Sequence, residues 1–239
     1  MKLAVISGAS RGLGAELYRQ YQDDGWQTLD FSRSAPHPGS HAVDLSQPES
    51  AAAEFDRVLG AAARQPLEEV LIISNAATLQ PIGLLERLAP EEIIAATRIN
   101  ITSGLLLMRA ALAAFGRQPL QRLRLAAISS GAARHGYAGW SLYCAGKAAM
   151  ENAQRAIALE VQDRPHIDAV SIDPGLIDTG MQTTIRRSSR SDFPAVDKFI
   201  RRHQDGLLQP PPRVAAAVRR ICSLPELEAG AIYRAADYF

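Results

Sequence analysis

The chain of 239 residues predicts an α/β fold, a doubly wound parallel sheet with helices on both faces, formed as a single domain over 1–239. Three observations carry that expectation. Short apolar runs alternate with longer amphipathic stretches along the whole chain, as in strands joined by crossover helices. The first apolar run enters a glycine-rich turn and then an amphipathic segment, which reads as strand, loop and helix. A hydrophobic content of 47% at this length supplies a substantial core within the size of one domain.

Taken in order, strands are expected over 3–7, 27–31, 41–43, 70–74, 123–129, 167–172 and 231–233. Helices are expected near 13–23, 48–64, 90–115, 140–163 and 213–222. Most connections are short. The exception is 179–212, which is less regular, carries Arg, Ser and Asp, and ends on Pro210-Pro211-Pro212. Candidate site residues run up to its start at Thr179, so we expect a lid over the substrate with an inserted helix. In such a sheet active groups gather beyond the carboxyl ends of the strands.

The formal charge of +1 gives no overall attraction to nucleic acid or an anionic membrane, and Arg186-Arg187 and Arg201-Arg202 are scattered pairs that suit solvated helix faces. No apolar run reaches the ~18–20 residues of a membrane helix, and the opening apolar stretch is cut off at Arg11, too early for a signal peptide. Cys144 and Cys222 form no Cys-x-x-Cys, and His135, His166 and His203 show no ligand spacing. Neither a disulfide scaffold nor a metal site is expected, and a reducing cytoplasm fits best.

Two motifs carry chemistry. In Ser7-Gly8-Ala9-Ser10-Arg11-Gly12-Leu13-Gly14, three glycines between strand and helix let backbone amides approach a pyrophosphate at the positive helix terminus. Gly8, Ser10, Arg11, Gly12, Leu13 and Gly14 are therefore candidate dinucleotide contacts. Asp30 falls inside the second strand, whereas Arg33 stands at its end, where the adenosine ribose should reach. With Arg11 as a second cation, NADP(H) is expected over NAD. The other motif is Tyr143-x-x-x-Lys147: four helical residues turn through about 400° and place phenol and ammonium on one face. A tyrosine titrates ordinarily near pH ~10, and a nearby cation can lower that value. Of 26 basic residues only Lys2, Lys147 and Lys198 are lysine, so position 147 fits a need for a compact ammonium.

Together the glycine loop, Asp44, Asn75-Ala76-Ala77, Asn100, Ser130, Tyr143-x-x-x-Lys147 and Pro174-Gly175 resemble, in order and over nearly the whole chain, the short-chain dehydrogenase/reductase family with its Rossmann-type fold. Gly139-Trp140-Ser141-Leu142-Tyr143-Cys144-Ala145-Gly146-Lys147 and Pro174-Gly175-Leu176-Ile177-Asp178-Thr179-Gly180-Met181-Gln182 are similar to the sepiapterin reductase group and its bacterial benzil reductase relatives. The second likeness continues through Ile185-Arg186-Arg187-Ser188-Ser189 into Asp192-Phe193. The resemblance implies an NADP(H)-dependent carbonyl reductase. Tyr143 would be the proton donor, Lys147 the ribose ligand and modulator of Tyr143, Ser130 the carbonyl-orienting group, and Asn100 the support of a water relay. It further implies cofactor contacts at Asp44, Asn75, Ala76, Pro174, Ile177 and Thr179, and a homodimer through the helices near 90–115 and 140–163.

One departure bears on substrate. Sepiapterin reductases place an aspartate shortly after a Gly-Ala pair to grip the pterin, and after Gly230-Ala231 that position here is Arg234, which cannot accept hydrogen bonds. Asp237 lies three residues on. An aromatic or vicinal diketone of the benzil type is the expected small-molecule substrate, in an apolar pocket drawing on Tyr137, Trp140, Met181 and Phe193. A pterin side chain is the alternative. A non-catalytic module that senses NADP is the alternative of another class.

Overall fold

The computed structural model describes residues 1–239. Seven strands form one sheet: β1 (Lys2–Ser7), β2 (Gln27–Ser32), β3 (Ser40–Ala42), β4 (Glu69–Ser74), β5 (Arg122–Ile128), β6 (Ile167–Asp173) and β7 (Ile232–Arg234). Their order across the sheet is β3-β2-β1-β4-β5-β6-β7, and every neighbouring pair is parallel. Eight helices connect them: α1 (Gly12–Asp23), α2 (Pro48–Ala62), α3 (Pro90–Thr97), α4 (Ser103–Phe115), α5 (Ser141–Glu160), α6 (Gly180–Arg186), α7 (Val196–Gln204) and α8 (Pro211–Cys222).

The strand period of two divides the core into two layers. Leu3 and Val5 of β1 face one way, with Phe55 of α2, Leu107 and Phe115 of α4 and Ile157 of α5. Ala4 and Ile6 face the other way, with Leu17 of α1 and Val214 and Val218 of α8. Both faces of the sheet are covered, so its strands can be apolar at successive positions. Each fully buried aliphatic side chain contributes about 1.5–3 kcal/mol. The register pairs Ser7 of β1 with Ser74 of β4, so the chain leaves both strands at the same edge. Strand order reverses between these two, which makes that edge the switch point where ligands bind in such sheets.

Two stretches depart from the sequence expectation. The segment over 90–115 is α3 and α4 joined by a π-helical turn at Arg98–Thr102, not one regular helix. Contrary to the expectation that no segment could span a bilayer, Pro90–Phe115 has the length and composition to do so. It nevertheless lays Leu107, Met108, Ala111 and Phe115 against the sheet, as a core helix does. The region 179–212 holds two short helices, α6 and α7, rather than one. Its ends are pinned to each other, since Asp178 donates from its amide to the Gln209 carbonyl (2.9 Å) and Gln209 donates to that of Leu176 (2.8 Å). The excursion leaves the sheet and returns at one place.

Candidate active site

The switch point is zipped by Asn75. Its Nδ2 donates to the carbonyls of Ser7 and Gly8, both at 3.1 Å, while the Ser7 hydroxyl accepts from the amides of Asn75 (3.1 Å) and Ala76 (3.2 Å). Between these groups the glycine loop folds back on the start of α1. A Cβ at Gly14 would lie 2.2 Å from the Gly8 carbonyl oxygen, so only glycine lets the loop and helix meet there. The first amides of α1 receive no side-chain cap, and no acidic residue lies in its first turn. That end therefore keeps its donors and positive dipole for an anionic ligand. A dinucleotide pyrophosphate fits these residues.

Asp30 is fully buried and saturated: Oδ1 accepts from the Ala9 amide (2.8 Å), and Oδ2 from the hydroxyls of Ser32 (2.6 Å) and Ser40 (2.8 Å). It holds the glycine loop from beneath. Arg33 stands exposed at the mouth of the same cleft and pairs with no carboxylate at contact distance. Asp44 lines the cleft nearby. The amide and hydroxyl of Ser46 donate to it at 3.0 and 2.8 Å and, with the charge of Arg33, hold its carboxyl below the usual range.

The catalytic candidates sit beyond β5 and on the first turns of α5. Ser130 follows the β5 end and caps a single helical turn, its Oγ accepting from the Ala132 amide at 3.2 Å. The Ser130 side chain also acts on the Tyr143 phenol, in the direction that lowers its pKa. Burial pushes that phenol up to about 12, and the charge of Asp173 adds to the rise, so the net effect is opposite to the lowering expected from a neighbouring cation. Lys147 is itself buried, which lowers its ammonium to about 8. Its Nζ donates to the Ile128 carbonyl at 2.6 Å and lies 5.7 Å from the Tyr143 ring centre.

Asn100 lies in the π-helical turn rather than on the cleft wall. Its Oδ1 accepts from the Thr78 amide (2.8 Å) and its Nδ2 donates to the Thr78 carbonyl (3.0 Å), so the side chain holds the loop after β4. The turn fits closely against α5, where a Cβ at Gly146 would come within 2.7 Å of the Asn100 Cβ.

All the other expected cofactor and catalytic residues line one cleft of about 790 Å³, running from Arg33 and Asp44 past Gly8–Gly14, Asn75 and Ala76 to Ser130, Tyr143, Lys147, Pro174, Ile177 and Thr179. Tyr137, Trp140, Met181 and Arg234 line it too. Phe193 does not, and this corrects the expectation for that residue. It is completely buried behind Trp140, stacked at 4.3 Å between ring centres, and anchors the excursion by also packing on Phe199. Phe199 and Arg202 of α7 reach the cleft and were missed by sequence reasoning. Their three-residue spacing, which places both on one helix face, was the available signal.

A parallel sheet with a glycine cradle at its switch point and a Ser, Tyr and Lys group beside it defines a dinucleotide-dependent oxidoreductase. The family model for short chain dehydrogenase matches residues 2–190, and the chain belongs to that family. It is 27% identical to the benzil reductase ((S)-benzoin forming) of Bacillus cereus, over 98% of this chain and 99% of that one. It is 33% identical to the sepiapterin reductase of Mus musculus, over 86% of this chain and 85% of that one. Among solved structures it is similar to the KRED1-Pglu enzyme, with a TM-score of 0.81 and 25% identity over 97% of this chain and 100% of that one. The protein is an oxidoreductase of the carbonyl and alcohol class.

Proposed function

We propose that the protein is an NADPH-dependent reductase of aromatic or vicinal diketones, with Tyr143 as proton donor. The observation that carries the reading is the placing of Ser130, Tyr143 and Lys147 along one cleft with an uncapped helix terminus and an exposed Arg33 that makes no salt bridge. Gly8–Gly14 and the start of α1 would hold the pyrophosphate, Arg33 the 2′-phosphate, and Lys147 the nicotinamide ribose. NADPH held there supplies the hydride. Ser130 orients the substrate carbonyl by donating to its oxygen, and Tyr143 delivers the proton to the same atom. A phenol near 12 is protonated at any physiological pH yet remains a stronger acid than the alcohol it forms, so transfer runs toward the alkoxide. The Lys147 charge stabilises the phenolate left behind.

The substrate end favours a flat apolar molecule. Trp140 lies 5.7 Å from Tyr143 and 5.2 Å from Phe199 between ring centres, with Met181 and Ile185 on the same cleft. Arg234 lines the cleft and, by the resemblance, stands where sepiapterin reductases carry an acceptor aspartate, which supports a diketone over a pterin. The excursion over 179–212 acts as the substrate lid. The exposed Leu105 of α4 and Leu159 of α5 support a homodimer through those helices, and light scattering that returns a monomer at micromolar concentration refutes it.

The deciding experiment follows NADPH and NADH consumption with vicinal diketones, aryl ketones and sepiapterin. Faster turnover of a diketone with NADPH is expected, as is a loss of the NADPH preference in Arg33→Ala. Reduction of sepiapterin but no diketone overturns the substrate assignment, and equal use of both cofactors overturns the cofactor assignment. Absence of turnover on every carbonyl favours a cofactor-sensing module.

A further inference from the structure

Behind the catalytic group lies a charged bridge that the proposed reaction does not itself use. Arg134, just past the helical turn that Ser130 caps, donates from Nη1 to Glu151 Oε1 at 2.6 Å and from Nη2 to Asp173 Oδ2. Glu151 is buried on α5, four residues after Lys147 and eight after Tyr143, and its Oε1 also accepts from the Ser129 hydroxyl at 2.6 Å. Arg155 stands 3.8 Å from its other oxygen. Asp173 ends β6, and its Oδ1 accepts from the Gly175 amide at 3.0 Å, which shapes the Pro174-Gly175 turn on the cleft wall.

One guanidinium thus ties together three separate pieces of chain: the end of β5 that presents Ser130, the helix face that presents Tyr143 and Lys147, and the β6 end that forms the nicotinamide side of the cleft. Two carboxylates facing each other in a poorly solvated place repel unless a cation lies between them, and removing Arg134 leaves Asp173 without its ion-pair partner and Glu151 with only the 3.8 Å contact of Arg155. The planar fork of arginine satisfies two acceptors in different directions at once, whereas a lysine meets them as a point charge.

We propose that Arg134 is a positioning residue of the reductase. It fixes Ser130 relative to Tyr143 and to the nicotinamide side of the cleft by bridging Glu151 and Asp173. The inference rests on the reductase reading above. A displacement of about 1 Å among reacting groups costs on the order of 100-fold in rate, so loosening the bridge should reduce kcat while leaving the cofactor cradle intact. The Arg134 side chain is 36% exposed, so the slot it occupies is reachable from solvent.

The test compares wild type with Arg134→Ala and Arg134→Lys in the full chain, using the best diketone, NADPH affinity by fluorescence, and thermal unfolding. We expect kcat of Arg134→Ala to fall on the order of 10- to 100-fold with NADPH affinity and Tm held, and Arg134→Lys to recover only part of the loss. Millimolar guanidinium should restore kcat of the alanine variant, and the same concentration of sodium chloride should not. A kcat within about twofold of wild type overturns the proposal. So does a loss that guanidinium leaves unchanged. Should Arg134→Ala fail to fold, Glu151→Gln answers instead, since it keeps an acceptor for Ser129 and removes the charge that Arg134 bridges: a fall in kcat with NADPH affinity held supports the proposal, and unchanged kcat overturns it. Wild type without turnover overturns the reductase reading and this inference with it; an active wild type beside an equally active Arg134→Ala overturns only the inference.

Discussion

Tyr143 and Lys147 are shifted in opposite directions by one cause. Burial penalises phenolate and ammonium alike, which raises the acid that becomes charged on losing a proton and lowers the acid that is charged before it. Lys147 is therefore protonated below about pH 8 and neutral above it, while Tyr143 stays protonated to about 12. Carbonyl reduction should be flat below neutrality and decline with a single proton loss across about pH 8, and a kcat/KM profile without that limb would contradict the role of Lys147. Stability moves the other way. The unfolded chain keeps the Lys147 proton to the ordinary value of 10.5, so between about 8 and 10.5 it binds more protons than the folded chain, and this group's contribution to stability rises with pH. Lys147→Met should abolish turnover yet raise the Tm at neutral pH, as measured by thermal unfolding with NADPH omitted. The four-residue spacing made the pair legible in the sequence. The direction of the tyrosine shift was not legible, because burial is set by chain segments far from the motif. The same limit applies to Phe193 and Met181: composition placed both in an apolar pocket, and only packing shows that Met181 borders the cleft while Phe193 lies behind its wall.

Among the elements, the π-helical turn at Arg98–Thr102 meets α5 at a close approach, and the excursion over 179–212 is held by an aromatic anchor together with its pinned ends. Gly146 lets α5 approach until its Cα faces the Asn100 Cβ, and the extra residue in the turn aims Asn100 at Thr78. Gly146→Ala should push the two helices apart at a cost of about 1–3 kcal/mol in urea unfolding and lower kcat with the loop after β4 displaced. Unchanged kcat would separate Asn100 from the reaction. In the excursion, Phe193 is the anchor, set among Tyr137, Trp140 and Phe199. Phe193→Ala should loosen 179–212 locally, raising KM for the ketone and the amide exchange of α6 and α7 while NADPH affinity holds. Equal loss of ketone and NADPH binding would instead show that the whole cleft depends on the anchor. Apolar periodicity located the helices over 90–115 and the irregular stretch, yet it saw neither the π turn nor the second short helix. Both depend on which surface packs opposite, and α6 is only seven residues long.

Across the whole molecule, the alternation of strand and helix was enough to give a parallel sheet, and the glycine cradle, Ser130, Tyr143 and Lys147 gather at one edge of it. The opposite half of the sheet is free to serve stability alone. Arg124, on β5 roughly 20 Å along the strand direction from Ser130, is 1% exposed and points toward α8. It donates to Asp168 of β6 at 2.7 and 2.9 Å and to the carbonyls of Cys222 (2.5 Å) and Leu224 (3.1 Å). One side chain thereby joins two strands to the end of the last helix. The sequence offered no sign of it, since an arginine inside an apolar strand run reads as a surface position until its partners, some 44 and 98 residues away, are brought alongside. Arg124→Ala leaves the Asp168 carboxylate unpaired and two carbonyls without donors, for an expected loss of about 3–5 kcal/mol in urea unfolding. Because the bridge is remote from the cleft, kcat per folded molecule should stay at the wild-type value under conditions where the variant is folded. Restoring the apolar character of both partners, in Arg124→Met with Asp168→Leu, should recover part of the stability, since the desolvation cost of the pair is removed with its attraction. A double variant less stable than Arg124→Ala would show that the bridge itself, rather than the filling of its space, holds β5, β6 and α8 together.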